Sequence, residues 1–510
     1  MRIPKNENIL QYLQKNHSPI IAPCNGQGTC GKCKVIIDDD LAPLPLENEK
    51  LSPKEISSNV RLACLRTLEK DTDVTVLLDS NSIHRSHLFT IPNTINPYIK
   101  LIKEKNEYAV YRGNTQIEKT TINKAYGIGI DLGTTTIAFA LIDLISGKII
   151  DDTSCINPQT AFGSDVISRI DYAKDESNRT QLSESIRNNI DSEIKKLLST
   201  NNISKSHIYE VVIAANTTMV YLLMNYDPAS IAKAPYHADK LDQITTTYES
   251  LFNLKLNATL TIFGGLDAYV GGDITSGILS QNLDQNDQYN LLLDLGTNGE
   301  IVLLKKDHIY ATSTALGPAF EGVNISSGVG AIGGAIDQFN YPDQFHTINN
   351  LPPIGICGSG LIDLVYELYK HQKINFRGRL KEAFVLRENI KITQQDIREV
   401  QLAKAAVKAG IEHLLHDASV DPSAIENLYI SGGFGLYTNT SHLIDIGMIP
   451  SSFKNKIVII GNSSLSGTIK YLLSPLSTTT FNKQNLSITT LTTPLFQELF
   501  VNNMDFPKQN

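Results

Sequence analysis

The chain has 510 residues, 41% of them hydrophobic and 19% charged, which excludes disordered, collagen-like and membrane-embedded classes and leaves room for about three domains. Lys and Arg number 45 against 53 Asp and Glu, and the net charge of −8 offers no basic field for a nucleic-acid partner. No signal-peptide core follows the N-terminus and no run reaches the roughly 18 apolar residues of a membrane helix, so a cytoplasmic protein with no membrane partner is expected.

The first zone, residues 1–82, holds four of the six cysteines: Cys24, Cys30, Cys33 and Cys64. In a reducing compartment such clustering points to metal or redox chemistry rather than disulfides. Short apolar runs at 33–37 and 74–78 predict strands. The spacing C-x5-C-x2-C, then 30 intervening residues before Cys64, is one residue longer in its first gap than the plant-type 2Fe-2S spacing. Gly26, Gly28 and Gly31 let the loop fold tightly and aim backbone N–H groups at cluster sulfurs. Structural zinc, the rival, usually shows two short C-x2-4-C pairs where this chain has one. The segment from Ala22 to Cys33 resembles the cluster-binding loop of plant-type ferredoxins, and Arg61-Leu62-Ala63-Cys64 resembles the place where that family supplies its fourth ligand. The resemblance covers about 80 residues and implies a β-grasp domain carrying one electron on a 2Fe-2S cluster held by all four cysteines. Cys155 and Cys357 are expected to be inert thiols.

Residues 83–124 look like a linker, with one strand expected at 108–111. From Tyr126 onward strands alternate with amphipathic helices, the α/β pattern. A hairpin is predicted at 126–130 and 137–142 around Asp131-Leu132-Gly133-Thr134. A helix at 182–198 leads into a strand at 211–213, and a short helix at 274–279 follows Asp273. A second hairpin, 291–293 with 301–304, encloses Asp294-Leu295-Gly296-Thr297. Thr393 and Asp396 form a capping box before Ile397, Val400, Val407, Ile411 and Leu414 at helical spacing. The strand 428–430 then ends in Ser431-Gly432-Gly433-Phe434-Gly435.

Each Asp-Leu-Gly-Thr turn suits a phosphate. Gly133 and Gly296 let the backbone approach closely, Thr134, Thr135, Thr136, Thr297 and Asn298 add donors, with Gly299 in the same turn, and Asp131 and Asp294 can each hold Mg²⁺ through water. One such hairpin is a weak signal; two, 163 residues apart with flanking strands, are much stronger. Together with the glycine turn they resemble the phosphate-1, phosphate-2 and adenosine motifs of the superfamily of acetate and sugar kinases, heat-shock chaperones and actin. That resemblance spans 126 to about 475 and implies two RNase H-like lobes closing over ATP, with Gly432, Gly433 and Gly435 against the adenosine. Val212 to Met219 resembles the first connecting segment and Gly461-Asn462-Ser463 the second. Asp273 lies where the chaperones carry the residue that orients the attacking water, which makes it the candidate general base beside Asp131 and Asp294; it also suits a helix N-cap. The expected division is 1–82, 83–124, 125–287 as first lobe, and 288–510 as second lobe with a C-terminal return to the first.

Four further stretches, 158–170, 317–322, 355–363 and 396–404, resemble the reductive activators of corrinoid proteins, although Asp165 and Arg169 also suit a plain i,i+4 pair. The resemblance implies an ATP-hydrolysing enzyme that returns Co(II) to Co(I) in a corrinoid protein of a methyltransferase or O-demethylase system, takes electrons from an external low-potential donor, and forms a homodimer. Plant-type clusters lie near about −400 mV, and each 59 mV of uphill one-electron transfer costs about 1.4 kcal/mol. A lower-potential target therefore needs coupling to ATP. The alternatives are an electron carrier whose lobes only bind nucleotide, an activator of another low-potential enzyme, and a small-molecule kinase, for which the cysteines have no use.

Overall fold

The computed structural model describes residues 1–16, 20, 22, 26, 28, 31, 33–77, 92, 95–163, 165–296, 298–306, 308–314, 316–322, 324–387, 389–432, 438–475 and 485–508. Contacts divide the chain into two units: Met1–Ser82, Lys124–Asp143 and Lys148–Ile262 form the first, and Ile83–Asn123, Leu144–Gly147 and Phe263–Asn510 the second.

The first unit opens with β1 (Arg2–Ile3), α1 (Ile9–Lys15), β2 (Lys34–Ile37), α2 (Pro45–Lys50), α3 (Pro53–Ser57), β3 (Val60–Leu62) and β4 (Thr72–Val76). The strands pair antiparallel in the order β1-β4-β2-β3. Strand alternation turns Val35 and Ile37 inward, where they join Ile3, Leu62, Val74 and the α1 residues Ile9, Leu10 and Leu13 in one buried cluster. Asn8 caps α1 by accepting from the Gln11 N–H, and Ser52 with Glu55 forms a capping box on α3.

Residues expected as linker form instead, within the second unit, an antiparallel meander of β5 (Ile99–Glu104), β6 (Glu107–Arg112) and β7 (Thr115–Thr120). Its alternation is faint because only Ile99, Ala109 and Val110 are buried.

The first unit resumes with β8 (Tyr126–Leu132), β9 (Thr136–Asp143), β10 (Ile149–Ile156), α4 (Val166–Tyr172), α5 (Glu176–Thr200), β11 (Ile208–Ala215), α6 (Thr217–Met224), β12 (Ile244–Thr247) and β13 (Thr259–Ile262). The sheet order is β10-β9-β8-β11-β13-β12, with every residue of β11 buried. Helix α5 covers the predicted 182–198 and buries Leu182, Ile186, Ile190 and Ile194 at helical spacing.

The second unit adds α7 (Gly272–Ser280), β14 (Tyr289–Leu295), β15 (Gly299–Lys305), β16 (His308–Thr314), β17 (Ala335–Asn340), β18 (Gln344–Thr347), β19 (Gly355–Ile356), α8 (Gly358–Lys370), β20 (Phe384–Arg387), β21 (Ile390–Ile392), α9 (Gln394–Asp417), β22 (Ile425–Ser431), α10 (Thr440–Asp445), β23 (Ile457–Gly461), α11 (Ser463–Leu473), β24 (Leu486–Ile488) and α12 (Pro494–Asn502). Its main sheet runs β23-β22-β14-β15-β16-β24. Both six-stranded sheets share one plan. An antiparallel meander (β8-β9-β10, β14-β15-β16) has its first strand parallel to a later one (β11, β22), which is parallel to the next (β13, β23). The repeated Asp-Leu-Gly-Thr marks the same corner of each.

Within the second unit, α7 crosses α11 almost backbone to backbone. A Cβ on Gly467 would lie 2.0 Å from the Ser276 carbonyl oxygen, and one on Gly277 would lie 2.7 Å from Ser463 Oγ. Ser276 Oγ donates to the Ser464 carbonyl at 2.6 Å, and Lys470 Nζ to that of Leu279 at 2.6 Å. At the C-terminus β24 pairs with β16, and buried Lys404 of α9 donates to the carbonyls of Asn503 (2.6 Å) and Asp505 (2.7 Å). No helix among the described residues is long and apolar enough to cross a membrane.

Candidate functional site

The N-terminal site grows from the β2–β3 ladder. Lys34 pairs with Leu62, and the Ala63 N–H donates to the Cys33 carbonyl at 2.8 Å, so buried Cys33 and half-buried Cys64 emerge at the same end of the sheet. Cys64 lies in a 3-10 turn, Ala63–Leu65, and its carbonyl accepts from Asn8 Nδ2 at 3.1 Å. Gly26, Gly28 and Gly31 all have left-handed φ, of 81°, 76° and 67°, the conformation anticipated for a loop wrapped tightly around a cluster. Cys24 and Cys30 lie outside the described residues. The arrangement of the two described cysteines and the glycines fits a thiolate-held cluster.

Behind Cys64 lies a buried ion pair that the sequence did not reveal. Glu47, fully buried, accepts from Arg66 Nε (2.9 Å), from the Leu62 N–H (2.9 Å) and from the Leu44 N–H (2.9 Å). Burial alone would raise its carboxyl; the Arg66 guanidinium and the backbone donors outweigh burial and hold it below the usual range. Elsewhere, burial pushes the Cys155 thiol up to about 12 and also raises that of Cys357, which keeps both protonated at neutral pH, as inert thiols should be.

In the first nucleotide hairpin Leu132 pairs with Ile137, and the Gly133 N–H donates to the Thr136 carbonyl at 3.1 Å. A Cβ on Gly133 would lie 2.6 Å from that oxygen, so only glycine closes the turn without a shift. Two asparagines missed in the sequence brace it. Buried Asn157 donates its Nδ2 to the Gly133 carbonyl (2.8 Å) and its N–H to that of Thr135 (2.8 Å), and Asn216, the N-cap of α6, donates to Thr134 Oγ1 (3.0 Å). In the second hairpin Leu295 pairs with Gly299, and the Gly296 N–H donates to the Asn298 carbonyl at 3.0 Å. A Cβ on Gly296 would meet only that carbonyl oxygen, at 3.8 Å, and would otherwise fill the open cradle above the turn. Thr297 lies outside the described residues. The two turns therefore predict different outcomes. Gly133→Ala should destabilise the hairpin by about 1–3 kcal/mol, whereas Gly296→Ala should leave thermal stability unchanged and weaken nucleotide binding; calorimetric melting and nucleotide titration on both variants check this.

Asp294, next to last in β14, accepts from Ser431 Oγ at 3.0 Å; Ser431 in turn meets Ser463 Oγ at 2.6 Å, at the first residue of α11. Gly432, with φ 96°, follows, and a Cβ there would lie 2.5 Å from the Leu295 carbonyl oxygen. Gly433 and Gly435 lie outside the described residues. Asp273 is not the N-cap of α7: Gly271 holds that position, and Asp273 lies in the first turn with Oδ1 accepting from the Ile274 N–H at 2.9 Å. The N-cap position is thus corrected from Asp273 to Gly271.

Glu300, opposite Asp294 in the β14–β15 ladder, was also missed. Burial first, then the negative charges of Asp273 and Asp294, push its carboxyl well above the usual range. Two of the predicted carboxylates, Asp273 and Asp294, therefore bear electrostatically on a third, Glu300. Asp131 belongs to the other unit. Asp165 caps α4 by accepting from the Ser168 N–H, and buried Arg169 donates Nε to the Gly163 carbonyl at 2.9 Å.

Comparison with known proteins matches this layout. Residues 1–69 match the 2Fe-2S iron-sulfur cluster binding domain, 126–286 the RACo middle region, and 288–510 the C-terminal ASKHA domain of RACo. The corrinoid activation enzyme RamQ of Eubacterium limosum is 29% identical over 525 residues, spanning 89% of this chain and 88% of its own. A Co(II) methylated amine-specific corrinoid protein reductase of Methanosarcina barkeri is 25% identical over 378 residues, spanning 67% and 68%. A solved reductive activator for a corrinoid, iron-sulfur protein superimposes with a TM-score of 0.74 at 29% identity, covering 99% of this chain and 96% of its own. With a cluster-binding domain at one end, an ASKHA nucleotide domain at the other and relatives along nearly its whole length, the chain belongs to the ATP-dependent reductive activators of corrinoid proteins.

Proposed function

We propose that this protein hydrolyses ATP to drive reduction of Co(II) to Co(I) in the corrinoid protein of a methyltransferase or O-demethylase system, in the cytoplasm and as a homodimer. The electron enters from an external low-potential donor. When bound, the 2Fe-2S cluster takes up and releases that one electron, and the thiolates of Cys24, Cys30, Cys33 and Cys64 hold it. Asp131 and Asp294 hold Mg²⁺ through water, the turns around Gly133 and Gly296 carry phosphates, and Gly432, Gly433 and Gly435 line the adenosine. Asp273 orients the attacking water and takes its proton. What supports the reading is the Asp273 carboxylate in the first turn of α7 and Asp294 beside the second phosphate turn, whose negative charges both bear on Glu300.

The deciding assay follows Co(I) absorbance anaerobically with a corrinoid protein, a low-potential donor and the full-length enzyme. Co(I) should accumulate only with ATP and should not form with Cys30→Ser. Equal rates with and without ATP, or full activity of Cys30→Ser, would sink the proposal.

A further inference from the structure

A second basic feature lies in the insertion between β16 and β22. Residues 374–380 form a tight turn closed by an Ile374–Leu380 bridge, and Asn375 Oδ1 accepts from the N–H groups of Arg377 (3.0 Å) and Arg379 (2.9 Å). The turn is clamped onto α9. Gln394 donates Nε2 to the Gly378 carbonyl (2.9 Å) and accepts from the Leu380 N–H (2.8 Å), and buried Gln401 donates to the Arg377 carbonyl at 3.2 Å. Gly378, with φ 75°, permits this contact, since a Cβ there would lie 2.3 Å from the Gln401 side chain.

The clamp presents Arg377 and Arg379 beside Arg398 of α9 around an open pocket of about 340 Å³, near the lower end of small-ligand sites. All three guanidinium groups are exposed, and among the described residues none forms an ion pair. Arg398 Nη1 donates to Gln401 Oε1 at 3.4 Å, and the neighbouring Glu399 is occupied by Gln395 Nε2 at 2.8 Å. The pocket also lies at the positive end of a 24-residue helix. In a chain of net charge −8, Arg377 and Arg379 on the clamped turn and Arg398 on α9 gather positive charge at one pocket without an ion pair among the described residues, Arg377 lying over the Phe376 ring at 5.3 Å. Their planar forks match phosphate oxygens in pairs.

We propose that Arg377, Arg379 and Arg398 form an anion site, sharing no residue with the two phosphate hairpins, that takes a small phosphate-bearing ligand with two or more negative charges. Calorimetric titration of the full-length protein with pyrophosphate tests it, both alone and with the hairpin site saturated by a non-hydrolysable ATP analogue. With the analogue bound, one pyrophosphate should still bind, more weakly as salt rises, and Arg379→Ala/Arg398→Ala should weaken that binding by about 10-fold or more with an unchanged melting temperature. Equal binding by wild type and variant, or loss of pyrophosphate binding once the analogue is bound, would overturn the assignment.

Discussion

Replacing Asp273 by Asn is expected to lower the turnover number for ATP hydrolysis by about 100-fold or more, the usual span for removal of a general base, with nucleotide affinity little changed. The carboxylate stands in the first turn of α7, where the helix end favours negative charge, and Gly271 rather than Asp273 fills the cap. Removing the charge at 273 therefore costs little structure and much chemistry. Glu300 supplies the internal control. Burial and the neighbouring Asp273 and Asp294 shift its carboxyl upward, so Glu300→Gln, which removes the charge and keeps the shape, should cost much less activity than Asp273→Asn. Steady-state kinetics on the two variants separate the roles: a wild-type turnover number for Asp273→Asn removes the general base from the scheme.

Glu47→Gln should destabilise the N-terminal module by about 3–5 kcal/mol, because it leaves the Arg66 guanidinium buried without its counter-charge. The double change Glu47→Leu/Arg66→Met should recover much of the loss, since it removes both charges together. Acid separates the pair from ordinary packing. The Glu47 carboxyl titrates lower in the folded than in the unfolded chain, so its contribution is fully present above the unfolded value of about 4.3 and disappears as pH falls through the folded value. Denaturant unfolding followed by the visible absorbance of the cluster should show wild type and Glu47→Gln converging as pH drops below about 4. A constant gap down to the lowest pH would assign the loss to packing.

The cysteine spacing, the two Asp-Leu-Gly-Thr turns and the Thr393–Asp396 capping box are legible in sequence because each is local: a few adjacent residue types do the chemistry. Glu300 is not, because its meaning depends on the register that sets it opposite Asp294 and on a helix 27 residues upstream. Asn157 and Asn216 reach back 24 and 82 residues to brace the first turn, and no periodicity marks a side-chain amide that bonds a distant backbone. The meander at 99–120 escaped because its strands bury too few side chains to alternate. The anchoring of the tail on α9 is not legible either, because Lys404 bonds carbonyls about a hundred residues further along the chain.

The crossing of α7 and α11 has one more consequence. Asp273 rides on the first turn of α7, while Ser463, at the head of α11, reaches Asp294 through Ser431. Two glycines bring these helices together with almost no side chain between them, so little compressible material is available to absorb a displacement. Asp273 and Asp294 thus share one mechanical reference, and a rotation of either helix alters the alignment of both at once. Hydrolysis timing would then be set by a single degree of freedom.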